Sequence, residues 1–560
     1  MPLRSLLEIA HAHAPLRALV SGLSGDEPVE VYASSPVRPY LLAAVLEHPD
    51  GPADRPALVV TADDRSARDL ASDLQAFVAP RRVHLYPSRG TGYLSHVAPP
   101  PHLAGLRVAA IDALAGAGED GTGPPPVVVA GAVALAEAVP DPELRPEGLA
   151  LHAGESVDLG DVAGLLAEAG YERAEQVEER GQFAIRGDIM DAFPATSERA
   201  VRIELFGDEI ESMRWFSTFT QRSLGDAERV ELAPAAELGA EHRELADLLP
   251  AVASNGGTGA DADGEGPAEQ DSERPDLAEL IPIERFRAPL DLVGDDAFVA
   301  IAQLEEIPGA LRDHWEDVTA AMHDEDARRL YVEVDERLQG RAGLRLSGTD
   351  ADREHSLRAQ RAEFPFRTPA EAEAELEKLV RSGYRTVVAF ERGGEAERAR
   401  YNLARLDAPP LRGEAPSEAG VNFAEAHLRE GFLAPELKLA VVPYSRLVHR
   451  RRAGTATPGS QGRRLAAAVE LRVGDLVVDE DHGVARFSGF DTKTLAGVTR
   501  DYLELEYKGG DRVFAPTDQL AKISRYVGAD GSEAALSALG GKRWTNMKAR
   551  ARRAAQEMAG

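Results

Sequence analysis

The stretch PALVVTADDRSARDLASDLQAFV, residues 56–78, decides the fold: PALVVTA reads as a short strand and DRSARDLASDLQAFV as the helix after it. The same order recurs on either side. VEVYA (29–33) precedes the helix-like PYLLAAVLEH (39–48), and PPVVVAGAVALAEAV (125–139) repeats the pattern. Strand followed by helix at this spacing predicts a parallel, doubly wound α/β sheet over the first 145 residues or so.

Working outward, the pattern changes. From about 150 to 235 the chain turns β-rich, notably in GQFAIRGDIMDAFP (181–194) and RAVRIELFGDEIESMRWF (199–216). Residues 252–276 contain ASNGGTGADADGEGPAEQDSERPD, which has no apolar periodicity and reads as a flexible acidic insertion, because packing it would not repay its ordering entropy. A second α/β unit follows, with AEAEAELEKLVRSG leading into YRTVVAF (384–390), and LKLAVVPYSRL (437–447) supplies a later strand. HRRRAGTATPGSQGRR (449–464) reads as an exposed basic linker. Beyond it lies a compact β domain, 467–540, with a two-glycine hairpin signal in LELEYKGGDRVFAP (503–516). The chain closes on GKRWTNMKARARRAAQEMAG without a C-cap or closing element, which predicts that more chain follows.

The expected modules are therefore 1–148 and 236–350 as two parts of one α/β domain, 149–235 as an inserted β-rich domain, and 351–448 as a small α/β domain. A linker (449–466), a β domain (467–540) and the start of a helix (541–560) complete the series. A chain of 560 residues accommodates about four domains, which agrees.

Composition narrows the function. Hydrophobic residues are 43% and charged residues 28% of the chain, the balance of a soluble globular protein. The absence of cysteine excludes disulfides, thiolate metal sites and a cysteine nucleophile, and fits a reducing cytosol. The N-terminus MPLRSLLEIAHAHAPLRALV is broken by histidines and arginines and is no signal peptide, and no stretch approaches the roughly 20 apolar residues of a membrane span. With 94 acidic residues against 63 basic and a formal net charge of −31, the whole chain would repel phosphates rather than grip nucleic acid.

Catalytic signatures are absent. After the first strand the sequence reads ASSPVRPYLL, with no glycine between Gly25 and Gly51, and the only Gly-Lys pair, Gly541-Lys542, continues into Arg543. A phosphate loop needs glycines for close backbone approach plus Lys and Ser/Thr, so nucleotide hydrolysis by this sheet is not expected. His11 and His13 lack the partners of a metal site, no GxSxG elbow occurs, and the many carboxylates single out no acid–base pair. Arg186-Gly187-Asp188 spells an integrin-type tripeptide without a plausible partner in a cytosolic chain. The final helix carries Lys542, Arg543, Lys548, Arg550, Arg552 and Arg553 against Glu557 and reads as a solvated face.

One strand points to a partner instead. In RAVRIELF the side chains of Val201, Ile203 and Leu205 share one face, so Arg202, Glu204 and Phe206 share the other. Two readings stand equal: Phe206 is exposed beside Arg202 as a binding hot spot, or another domain covers this face.

The run GQFAIRGDIMDAFPATSERAVRIELFGDEIESMRWFSTFTQRSL (181–224) resembles the domain shared by the excision-repair protein UvrB and bacterial transcription-repair coupling factors. LRVGDLVVDEDHGVARFSGFDTKTLAGVTRDYLELEYKGGDRVFAPTDQLAKISRY (471–526) resembles the RNA-polymerase-interacting domain of those factors and of CarD-type regulators. Both blocks in this order, separated by an α/β unit, resemble a transcription-repair coupling factor, loosely from residue 1 to 560, and the tail resembles the lead-in to that family's DNA-translocase motor. The resemblance implies a degenerate, non-hydrolysing RecA/helicase-like sheet with an inserted β-rich domain, a second small α/β domain and a C-terminal Tudor-like β-barrel. It implies an adaptor that binds stalled RNA polymerase through its β subunit and recruits UvrA for nucleotide excision repair. No catalytic centre or cofactor is expected in this segment, ATP and magnesium belonging to the motor. DNA is contacted only weakly or through the motor, and the chain is expected to be a cytoplasmic, nucleoid-associated monomer free of the membrane.

Carried over by motif, the family's UvrA contacts fall on Arg186, Arg202 and Phe206, the last two being the pair that strand alternation had placed together. The polymerase contact falls on Lys493, Thr494, Leu495, Val498 and Arg500, in the segment joining GFDTKTLAG to the next strand, where an exposed Leu495 and an open strand edge suit β-augmentation. In the family a C-terminal domain covers the UvrA surface. Two competing readings are a UvrB-type ATP-dependent repair helicase fragment, which the absent phosphate loop opposes, and a CarD-like polymerase-binding regulator without a repair role.

Overall fold

The computed structural model describes residues 3–25, 27–90, 99–116, 124–218, 221–239, 283–321, 330–349, 353–362, 364, 369–403, 406–447, 476–479, 483–495, 498–508, 512–516 and 523–525. The acidic insertion 252–276, the linker 449–466 and the final helix 541–560 lie outside these residues. By contacts the chain divides into two units, Met1–Met213 with Glu228–Arg450 and Arg214–Ala227 with Arg451–Gly560.

The stretch 56–78 folds as its pattern dictates. Ala57–Thr61 is a strand buried at every position, as a strand covered by helices on both faces must be, and Val127–Gly131 beside it is the same. Asp63 caps the helix Asp64–Val78, its carboxylate accepting from the Ser66 backbone N–H at 2.7 Å. That helix buries Ala67, Leu70, Ala71, Leu74, Phe77 and Val78, the spacing of one helical face.

The sheet has seven strands, ordered His355–Leu357, Val29–Ala33, Ala342–Ser347, Phe298–Ile301, Ala57–Thr61, Val127–Gly131 and Val83–Tyr86. Every recorded pairing in it is parallel. Four of these strands go beyond the sequence reading. Val83–Tyr86 and Phe298–Ile301 are only four residues long, too short to announce a period, and the outermost strand is drawn from beyond residue 350.

At the end of the first strand the backbone turns through a 3-10 segment, Ser35–Val37, that includes Pro36, which has no N–H to offer. The largely buried Arg38 folds back here, its Nε donating to the Ala33 carbonyl at 3.2 Å. On the neighbouring strand end the Glu305 carboxylate accepts from Gly348 N–H at 3.0 Å and from the Ser347 hydroxyl. A carboxylate placed there opposes a phosphate electrostatically.

The second α/β unit is a five-stranded sheet, ordered Gln360–Arg361, Phe432–Ala434, Leu439–Pro443, Arg385–Phe390 and Gly420–Glu425, with parallel pairing around the central Arg385–Phe390. It shares a core with the first sheet. Val387, Ala389, Phe432, Leu439 and Val441 join the cluster that contains Tyr40, Leu42 and Phe77. The Tyr40 ring lies 5.5 Å from Phe77 and 5.1 Å from Phe432, centroid to centroid, and its hydroxyl donates to the Leu6 carbonyl at 2.7 Å. A polar contact fixes the seam: Asp73, on the helix of the first sheet, accepts from the Arg429 backbone N–H at 2.7 Å, and Asp69 pairs with Arg429 at 2.8 Å.

The β-rich insertion is mounted on a stem. Leu149–His152 going out pairs antiparallel with Arg229–Leu232 coming back, from Leu149 opposite Leu232 to His152 opposite Arg229. Beyond the stem stands a six-stranded sheet, ordered Ser223–Asp226, Glu209–Phe216, Ala200–Phe206, Ile189–Ala192, Gln182–Arg186 and Glu172–Arg173. The helix Pro101–Ala115 presses against the insertion so closely that a Cβ on Gly105 would stand 2.7 Å from Ala195 Cβ and 2.9 Å from the Pro234 carbonyl oxygen.

Just past the stem, Glu237 reaches a buried ion cluster. Its carboxylate accepts from Arg89 Nε and Arg107 Nε, each at 3.0 Å. Arg107 Nη1 also donates to Glu137 at 2.8 Å, and its guanidinium lies 4.7 Å from the centroid of the Tyr86 ring. Burial pushes the Glu137 carboxyl up to about 7, against the opposing pull of Arg107.

The described part of the C-terminal block is a five-stranded antiparallel sheet, ordered Arg512–Pro516, Val498–Glu506, Gly483–Leu495, Leu476–Asp479 and Ile523–Arg525. Val477, Val484, Ala485, Phe487, Leu505 and Tyr507 are buried in it, so Leu505 and Tyr507 alternate inward as their spacing indicates.

Candidate functional site

Two hairpin turns build the first surface. Arg186 pairs with Ile189 across Gly187-Asp188, and Phe206 ends its strand at Gly207-Asp208 before Glu209 opens the next. Gly187 and Gly207 have φ of 62° and 70°, a left-handed conformation that glycine alone adopts without steric cost. Leu205 N–H donates to the Asp188 carbonyl at 2.9 Å, tying the two turns together at one end of the sheet. The tripeptide Arg186-Gly187-Asp188 is thus a hairpin corner.

Alternation sorts the faces as the sequence indicated. Val201, Ile203 and Leu205 are buried, whereas Phe206 is 79% exposed. Phe206 and Leu165 are the exposed large apolar side chains among the described residues. Among the described residues Phe206 is left open rather than covered.

Arg186 and Arg202 are brought together through a residue that sequence reading did not single out. Asp191 lies directly opposite Arg202 in the register and is 1% exposed. Its Oδ1 accepts from Arg202 Nε at 2.6 Å, and its Oδ2 accepts from Arg202 Nη2 at 2.8 Å and from Arg186 Nη2 at 2.6 Å. This two-pronged pairing raises the pKa of Arg202 further and keeps its charge fixed. Arg202 is less open than alternation suggested, its side chain 18% exposed against 50% for Arg186, because it lies down on Asp191. Beside it Ser212 Oγ donates to Glu204 at 3.1 Å. Arg186, Arg202 and Phe206 thus share one face of the sheet by register and alternation.

The second set of residues sits on the hairpin formed by Gly483–Leu495 and Val498–Glu506. Lys493 pairs with Arg500, Thr494 with Thr499 and Leu495 with Val498. The sequence suggested a joining segment; all five candidate residues instead lie within paired strands, the ladder running on until two residues, 496 and 497, separate the strands. On the opposite side of the first strand, Leu476–Asp479 covers only Gly483–Arg486. Among the described residues the outer edge from Gly489 to Leu495 therefore has no paired strand.

Sequence comparison fits both blocks. Residues 149–238 match the UvrB interaction domain and residues 471–527 the CarD-like/TRCF RID domain. The chain is 30% identical to a transcription-repair-coupling factor of Mycobacterium bovis, an alignment covering 100% of this chain and 49% of the relative. It is 26% identical to one of Bacillus subtilis over 90% of this chain and 46% of the relative, and 27% identical to one of Staphylococcus haemolyticus over 73% and 38%. The chain thus spans about half or less of the length of these relatives, and its match to the Mycobacterium bovis factor runs along its whole length.

Proposed function

We propose that this chain is the adaptor portion of a transcription-repair coupling factor, docking UvrA on its inserted sheet and the RNA polymerase β subunit on its C-terminal sheet. The observation that carries the UvrA half is Phe206, 79% exposed at a hairpin corner on the face that also carries Arg186 and Arg202. An aromatic ring and arginine at the centre of a contact are the side chains that dominate binding energy, and burying such a ring contributes roughly 1.5–3 kcal/mol. The unpaired edge leading to Leu495 supports strand addition by the polymerase. In this reading the first sheet is a degenerate RecA-like copy without a phosphate cradle, and the C-terminal sheet closes as a Tudor-like barrel. The segment holds no cofactor and no catalytic centre. The ATP-driven translocase belongs to the part of the relatives that this chain does not cover. The adaptor is a cytoplasmic, nucleoid-associated monomer, and among its described residues no helix is long and apolar enough to cross a membrane.

Titration of the purified chain with UvrA and with a polymerase β fragment tests the assignment, with ATP hydrolysis followed in the same samples. Phe206→Ala should lower UvrA affinity at least about tenfold while polymerase affinity stays at the wild-type value. Equal UvrA binding by wild type and variant would remove the site. Steady ATP turnover by the segment would favour the helicase reading.

A further inference from the structure

Resting on that docking reading, we infer that Asp191 is a positioning residue for the partner surface: it orients Arg186 and Arg202 without touching the partner itself. At 1% exposure Asp191 is not available to a second molecule. Its carboxylate nevertheless takes three guanidinium hydrogen bonds, at 2.6, 2.8 and 2.6 Å, from two arginines on the strands flanking its own. A carboxylate offers about four acceptor sites, so three of them serve to hold these two side chains.

Two consequences follow for what a partner meets. A free arginine carries rotamer entropy that docking would have to remove; here much of that ordering precedes the encounter. Glu204 shares this face, so the two arginines are matched by Asp191 and Glu204 and the four groups sum to a formal charge of zero. Such a face offers directed guanidinium donors rather than an excess of positive charge, whereas a polyanion would require that excess.

Asp191→Asn preserves size and shape but replaces one acceptor oxygen by an amide that donates toward two guanidiniums. The affinity of the chain for purified UvrA is measured for wild type, Asp191→Asn, Arg202→Ala and the double variant, with the thermal midpoint and polymerase β binding recorded in parallel. Asp191→Asn should weaken UvrA binding about tenfold or more at unchanged polymerase binding. In the Arg202→Ala background it should add far less than it does alone, because it acts through the arginine. Wild-type affinity in Asp191→Asn, or full multiplication of the two effects, would overturn the inference. Should Asp191→Asn fail to fold, Arg202→Lys keeps the charge but cannot span both carboxylate oxygens; a similar loss supports the clamp, and unchanged affinity refutes it. If wild type does not bind UvrA, or Phe206→Ala binds equally well, the docking reading fails and this inference with it. Loss in Phe206→Ala with retention in Asp191→Asn defeats the clamp alone.

Discussion

Glu237 shows what a single side chain contributes to this molecule. It is the shared acceptor of two arginines, Arg89 and Arg107, that are themselves 2% and 1% exposed. Removing one partner from a buried ion cluster leaves charge without compensation, which costs about 3–5 kcal/mol. Glu237→Ala should therefore lower stability by about that amount in a urea titration, and a loss below about 1 kcal/mol would show that the cluster relaxes around the gap. This kind of residue was not legible in the sequence. Arg107 and Glu237 are separated by 130 positions, and nothing in a run of one chain distinguishes that glutamate from the other acidic residues. Phe206 was legible, because strict period two along RAVRIELF fixes the side on which it must stand. Asp191, like Glu237, was not legible: its short strand Ile189–Ala192 is buried at three consecutive positions, and its pairing with Arg202 is a matter of register between strands.

At the scale of the element, the hairpin corners decide where the docking side chains point. Gly207 has φ of 70°, where a β-branched residue is disfavoured by roughly 1–2 kcal/mol. Gly207→Val should cost about that in stability and also weaken UvrA binding, although Phe206 itself is untouched; binding at wild-type strength would show that the ring finds its place without the turn. On the second surface, Leu495 pairs with Val498 at the end of the ladder, so Leu495→Arg places a charge where strand addition would begin. Its affinity for a polymerase β fragment should drop about tenfold or more in a titration, and no change would exclude this hairpin end from the contact. The sequence made the strong elements plain. VEVYA became the strand Val29–Ala33 residue for residue, and YRTVVAF became Arg385–Phe390. The short Phe298–Ile301 was not, since four apolar residues are compatible with strand or helix until neighbours supply the pairing.

On the scale of the whole molecule, the small α/β unit is not an independent bead, because Phe432 and Val441 complete the core around Tyr40 and Phe77. The seam carries a titratable group. Burial pushes the Asp73 carboxyl up to about 7, although the backbone N–H groups of Arg429 and Glu430 favour its charged form. A raised carboxyl pKa contributes stability that is fully present in acid and is lost as pH rises through about 7. The thermal midpoint should thus fall between about pH 4 and pH 7 more steeply in wild type than in Asp73→Asn, one such proton accounting for at most about 1.4 kcal/mol per pH unit. Parallel pH profiles would place the dependence elsewhere. Finally, the chain enters and leaves the inserted sheet through adjacent strands, Leu149–His152 and Arg229–Leu232. The insertion therefore has the geometry of a detachable cassette. Its two ends lie side by side, so the parent sheet could be closed with a short bridge, and the docking head could be exchanged, duplicated or transplanted to another scaffold without rethreading the rest of the fold.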